Sequence, residues 1–168
     1  MGTVHNFSRP IEILTMALGR EAFALEAVII REILDMIPIT EVPNAPNHAQ
    51  HLINVRGKIV PLVNLKILFG MPHSENTIDT RIVVIEVLID NEPTIVGILA
   101  DKVYEVTEIT TESIEATPKV GMRWRPEFIR GIGRRNGDFL IILDINRVFA
   151  SEQQAYIGSR DNHQSAHN

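Results

Sequence analysis

The sequence predicts an all-β protein built of two small barrels packed on each other, and three observations lead there. Apolar runs of four to eight residues recur at short spacing, with only brief helical patterns between them. Aromatic residues make up 5% of the 168-residue chain, so the core must be built largely from Ile, Val and Leu. Third, one strand–turn–strand–helix unit occurs twice. Its first copy is HLINVRGKIVPLVNLKILFG, His51 to Gly70, where 11 of the 18 residues from 52 to 69 are large and apolar. Adding 80 to each number leads into RGIGRRNGDFLIILDINRVFA, ending at Ala150. Gly57 then falls on Gly137, Asn64 on Asp144, Phe69 on Phe149 and Pro46 on Pro126. A weaker echo at an offset of 73 sets Ala24-Leu25 over Gly97-Ile98, Ile30 over Val103 and Glu32 over Glu105. Two copies are too few for a solenoid. They fit one domain over 11–151, made of two subdomains spanning roughly 11–70 and 81–151.

Residues 1–10 are expected to be a mobile polar leader. Ile11 to Leu18 extends as a strand, Gly19-Arg20 turns, and 21–25 returns. Glu26 to Leu34 is ambiguous between a helical turn and a strand, with β-branched Val28, Ile29 and Ile30 favouring strand. The stretch Ile37 to Asn47 contains Pro38, Pro43 and Pro46 and reads as a loop, with a helical turn around 47–51. A hairpin follows, 52–55 and 58–63, in which Pro61 calls for an edge or a bulge. After Asn64 the spacing of Leu65, Leu68 and Phe69 is helical, and Gly70 stops it. Residues 71–80 form a polar loop. Ile82–Leu88 and Thr94–Leu99 make a second hairpin around Asn91-Glu92-Pro93, and 101–109 continues as a strand. The polar stretch Thr110–Lys119 takes up the seven extra residues that the change of offset implies. Asn136-Gly137 is the strongest turn signal in the chain, because a type I′ turn needs positive φ at both central residues. A helix from Asp144 to about 153 closes the domain, and 154–168 is a polar tail expected to fray.

Composition narrows the function. The formal net charge is −5, against a chain-wide nucleic-acid footprint. Without cysteine there is no disulfide, thiolate catalysis or cysteine zinc site, which suits a reducing cytosol. No apolar run reaches membrane-spanning length. The nucleophile-elbow, Walker and H-E-x-x-H patterns are missing from the sequence. Gly131-x-Gly133 opens a hairpin instead of a helix, so it is no dinucleotide fingerprint. His48 and His51 could share a helical face, but no third ligand completes a metal site. Glu26, Glu32 and Asp35 read as solvent-facing strand positions. One stretch invites another reading. Lys119, Arg123, Arg125, Arg130, Arg134 and Arg135, with Trp124 and Phe128 between them, could track a single-stranded nucleic acid. The better fit is a non-catalytic protein-binding module with no cofactor and no metal, docking through apolar side chains at barrel edges.

The runs VPNAPNHAQHLINVRGKIVPLVNLKILFG, GILADKVYEV and FIRGIGRRNGDFLIILDINRVF resemble the CheW family of bacterial chemotaxis coupling proteins. The resemblance covers about Ile11 to Ser151. It implies two five-stranded SH3-like barrels around a common hydrophobic core. It also implies an adaptor that binds the cytoplasmic tip of a chemoreceptor and the regulatory domain of the histidine kinase CheA, recruited from the cytoplasm to membrane receptor arrays. A receptor–kinase pathway of another kind, such as pilus motility, fits the same resemblance. Arg56, Ile30 and Glu32 align with family positions linked to receptor and kinase binding. An internal salt bridge of Arg56 is the competing reading. His51 stands where the family usually has Gly, which removes a point of close backbone approach.

Overall fold

The computed structural model describes residues 9–45, 50–117 and 125–150. Strands β1 (Pro10–Leu18) and β2 (Glu21–Glu26) form a hairpin whose tip holds Gly19 at φ 63°. A single 3₁₀ turn, Ala27–Ile29, leads into β3 (Ile30–Asp35), and β4 (Ile39–Glu41) is short. The central unit then consists of β5 (His51–Val55), β6 (Lys58–Val63) and α1 (Leu65–Leu68). Asn64 caps α1, its side chain accepting from the Lys66 amide at 3.0 Å, and Gly70 at φ 68° ends it. The second half runs β7 (Arg81–Ile89), β8 (Glu92–Ala100), β9 (Lys102–Thr110), β10 (Ile129–Arg135) and β11 (Asp138–Leu143), with helix α2 at 145–150.

The repeat is real, but its copies are interleaved. One sheet has the order β10-β11-β2-β1-β9 and the other β3-β7-β8-β6-β5-β4. Each therefore takes the leading hairpin of one copy and the remaining strands of the other. The joints are two short parallel ladders at equivalent places: Leu62 opposite Gly97, and Ile142 opposite Ala24. Neither the stretch before 70 nor the stretch after 81 holds a complete sheet. Apolar alternation specifies which face of a strand is buried, and it is silent on which distant edge the strand joins.

Both sheets curl on themselves. Chain continuity from β3 into β4, which pairs with β5, closes the second sheet. In the first, Glu115 beyond β9 bridges to Ile132 of β10. Alternation along the strands then fills three apolar volumes. Ile13, Ala24, Leu140 and Ile142 fill the first barrel, and Ile53, Val60, Leu62, Ile82 and Val84 fill the second. Val83, Ile85 and Val87 point the other way and join Leu14, Met16, Phe23, Ile98, Ile141 and Phe149 in the shared core. The all-β, two-barrel architecture and its common core follow the sequence reading.

Details differ with reason. The second sheet has six strands, because Ile39–Glu41 pairs with β5 inside the proline-rich stretch. As a three-residue edge strand it tolerates prolines on either side. Pro61 lies on an inner strand with no bulge against β5; the ladder to β8 begins one residue later, at Leu62, so its missing N–H falls outside that ladder. The β7–β8 turn is Asp90-Asn91, both at positive φ, and Glu92 and Pro93 already belong to β8. The helical turn expected at 47–51 lies largely outside the described residues, and His51 is in a strand.

A candidate protein-docking face

The β5–β6 tip is a two-residue turn with Arg56 at φ 53° and Gly57 at φ 85°. Positive φ at both positions matches the twist of a hairpin, and Gly and Asn tolerate it best. The Asn54 side chain accepts from the Gly57 amide at 2.7 Å, bracing the turn. Closure of the barrel carries β3 past this tip, and the Arg56 guanidinium donates to the Glu32 carboxylate at 2.8 Å. The Arg56 side chain is 81% exposed and that of Glu32 21%, so a partner would meet the arginine first.

Structure thus brings two of the four named residues into contact. Ile30 is nearby in sequence but differently aimed. The register shifts between Ile30 and Glu32, setting them opposite Ile85 and Val84, which face the shared core and the barrel interior respectively. Ile30 is half-buried at the margin of the shared core. His51 opens β5 opposite Glu41 and Leu62, five residues and about 16 Å along the strand from Arg56. Its φ is not positive, so the backbone there suits any residue. His51 therefore stands apart from the Arg56–Glu32 contact. His48 lies outside the described residues.

Sequence reasoning missed two features. Across the first barrel's closure, Arg135 reaches Glu105 at 3.8 Å and stacks its guanidinium 4.3 Å from the centre of the Tyr104 ring. The offsets of 73 and 80 held that signal, since they map Glu32 onto Glu105 and Arg56 next to Arg135. The other is Lys66, read only as part of a helical run. It is 5% exposed and donates to Asp101 Oδ1 at 2.7 Å and to the Ser74 hydroxyl.

With this geometry in view, comparison with known proteins is decisive. A family model for the CheW-like domain matches residues 12–153. The chain belongs to the CheW family. A chemotaxis protein CheW of Klebsiella aerogenes is 28% identical over 149 residues, covering 87% of this chain and 86% of the relative. That of Rhizobium meliloti is 28% identical over 143 residues, covering 85% and 90%. Among solved structures, the scaffolding protein TtCheW of Thermoanaerobacter tengcongensis superposes with a TM-score of 0.75 at 30% identity, covering 86% of this chain and 91% of that one.

As a CheW-family protein the molecule is a chemotaxis adaptor, and its surface chemistry weighs against the nucleic-acid reading of the basic stretch. Arg125 faces Glu127 at 4.0 Å, Arg134 faces Glu115 at 3.3 Å, and Arg130 is paired with Glu26. With Arg135 on Glu105, each described arginine of the stretch has a carboxylate beside it, which leaves no continuous cationic track there. Lys119, Arg123 and Trp124 lie outside the described residues. Among the described residues no cluster of His, Asp and Glu is disposed to hold a metal ion, and no helix is long and apolar enough to cross a membrane.

Proposed function

We propose that this protein couples chemoreceptors to a CheA-type histidine kinase as a non-catalytic adaptor. It would use the Arg56–Glu32 closure of the second barrel as a receptor- or kinase-docking face, with Ile30 at its margin. The observation that carries the reading is conformational. Arg56 occupies a left-handed turn position that costs a residue with a Cβ about 1–2 kcal/mol, least where Asn or Asp takes it. The equivalent turn in the other barrel, Asn136 at φ 52° and Gly137 at φ 85°, has the residue that suits it. An exposed ion pair is worth at most about 1 kcal/mol, so stability alone does not favour arginine there. Strain kept at an exposed site is expected where a side chain serves binding. A guanidinium held by one carboxylate still presents donors to a second one on a partner. Its pathway would be flagellar chemotaxis or a related receptor–kinase system, working from the cytoplasmic face of receptor arrays.

The test is titration of the protein and its Arg56→Asn variant against a cognate CheA regulatory domain and, separately, a receptor-tip helical hairpin. Asparagine restores the preferred turn, so the melting temperature should stay within a few degrees. Affinity for at least one partner should fall by more than about 1 kcal/mol. Unchanged affinity for both would remove Arg56 from the interface, and wild-type protein that binds neither folded partner would end the coupling reading.

A further inference from the structure

Each short helix crosses from its own barrel to the leading hairpin of the other. Helix α1 follows β6 of the second barrel. Its Lys66 ammonium holds Asp101 Oδ1 at 2.7 Å, while Asp101 Oδ2 accepts from the Gly19 amide at 2.6 Å at the β1–β2 tip of the first barrel. Helix α2 follows β11 of the first barrel. Its Asn146 Oδ1 accepts from the Leu88 amide at 3.0 Å, close to the β7–β8 tip of the second barrel. Lys66 and Asn146 are 80 residues apart, the spacing of the repeat, so the two contacts are reciprocal. The first is tightly fitted. Gly19 sits at φ 63°, and a Cβ there would come within 3.1 Å of Met71 Cε.

We infer that these two contacts are latches that set the orientation of one barrel against the other. Lys66, Asp101 and Asn146 are then positioning residues of the adaptor. The shared core holds the barrels together through an attraction that is non-directional, so its resistance to rotation comes from packing detail alone. Hydrogen bonds from a nearly dry ammonium do not tolerate it. Burying a charge carries a desolvation cost, and a methionine of similar reach would fill the same space without it. A buried charge at the junction is therefore suited to direction more than to adhesion. A protein that must present two surfaces to two partners needs their relative angle held, and this clause alone rests on the coupling function proposed above.

The chain has no cysteine, so Lys58→Cys and Asp138→Cys would supply the only two, one on each barrel near its hairpin tip. Pulsed electron–electron spin resonance between labels at these sites reads the inter-barrel distance without any partner. In the latched protein the distribution should be narrow. Lys66→Met combined with Asn146→Ala should widen it at least twofold or shift it by several ångströms in protein that remains folded, and Lys66→Arg should keep it narrow. Asp101→Asn is the second variant and should widen it less. Superimposable distributions in folded variants would overturn the inference. So would unfolding of both Lys66→Met and Asp101→Asn, which would make the network a general stabiliser. Because no partner takes part, these outcomes stand whether or not the coupling function holds.

Discussion

The two copies of the hairpin–helix unit, 51–70 and 131–150, agree at some positions and part at others. Gly57 and Gly137 share a φ of 85°, and Asn64 and Asp144 both cap a helix. Those are demands of the backbone, and both copies meet them in the same way. Among the positions where the copies differ are 51 and 131, with His and Gly, 56 and 136, with Arg and Asn, and 66 and 146, with Lys and Asn. Each of these three lies where one barrel meets something else: a crossing segment, a prospective partner, or the other barrel. Agreement at these backbone positions marks the fold, and divergence at these three marks what is asked of each barrel separately.

The sharpest way to break this comparison is at 51 and 131. A Cβ on Gly131 would fall 2.1 Å from Ile114 Cγ2 and 3.2 Å from the Glu115 carbonyl oxygen, where the chain crosses to close the first barrel. Gly131→Ala should destabilise the protein by about 3 kcal/mol, as overpacking of a tight site does. His51→Gly, at a half-exposed position with ordinary φ, should cost about 1 kcal/mol or less. Chemical denaturation of the two variants measures both, and equal losses would show that the closures are alike after all.

A smaller effect is expected inside the barrels, at the equivalent positions 24 and 97. Gly97 lets Ile82, Ile53 and Leu62 converge, at 3.1, 3.3 and 3.3 Å from where a Cβ would lie. Gly97→Ala should therefore cost about 1–2 kcal/mol, although alanine normally favours a strand over glycine. Ala24, fully buried in the first barrel, already fills its own space, and Ala24→Gly should cost about 1 kcal/mol. A stabilising Gly97→Ala would mean that the second barrel has slack.

Much of this was legible in the sequence because it is local. The turn at Asn136-Gly137, the stop at Gly70, the helical spacing after Asn64 and the apolar run of β7 each need only a few neighbouring residues. The repeat was legible too, since its backbone demands recur in order. The interleaving was not. The joint of Ile142 with Ala24 spans most of the chain, and nothing in either strand names the other. Arg56 and Glu32 could be singled out one by one through the family resemblance, yet their contact depends on a barrel closing. Lys66 went unremarked within its helical run because its partner, Asp101, lies 35 residues away. The arginines of 125–135 looked like a track because the acids beside Arg130 and Arg135, Glu26 and Glu105, lie on other strands.

The gentlest probe exchanges the two turns. Asn136→Arg puts an arginine at φ 52° in the first barrel, where Glu105 already holds Arg135. With Glu105 already engaged by Arg135, the strain should appear as a loss of about 1 kcal/mol. Arg56→Asn should relieve similar strain but give up the Glu32 contact, leaving the net change within about 0.5 kcal/mol of zero. Denaturant melts of both variants read the asymmetry directly. If Asn136→Arg were neutral, arginine would be at ease in this turn, and the conformational case for a binding role at Arg56 would be lost. If it is destabilising and no affinity for a partner is gained, the specificity resides in the second barrel's Glu32–Arg56 pairing and not in the shape of the tip.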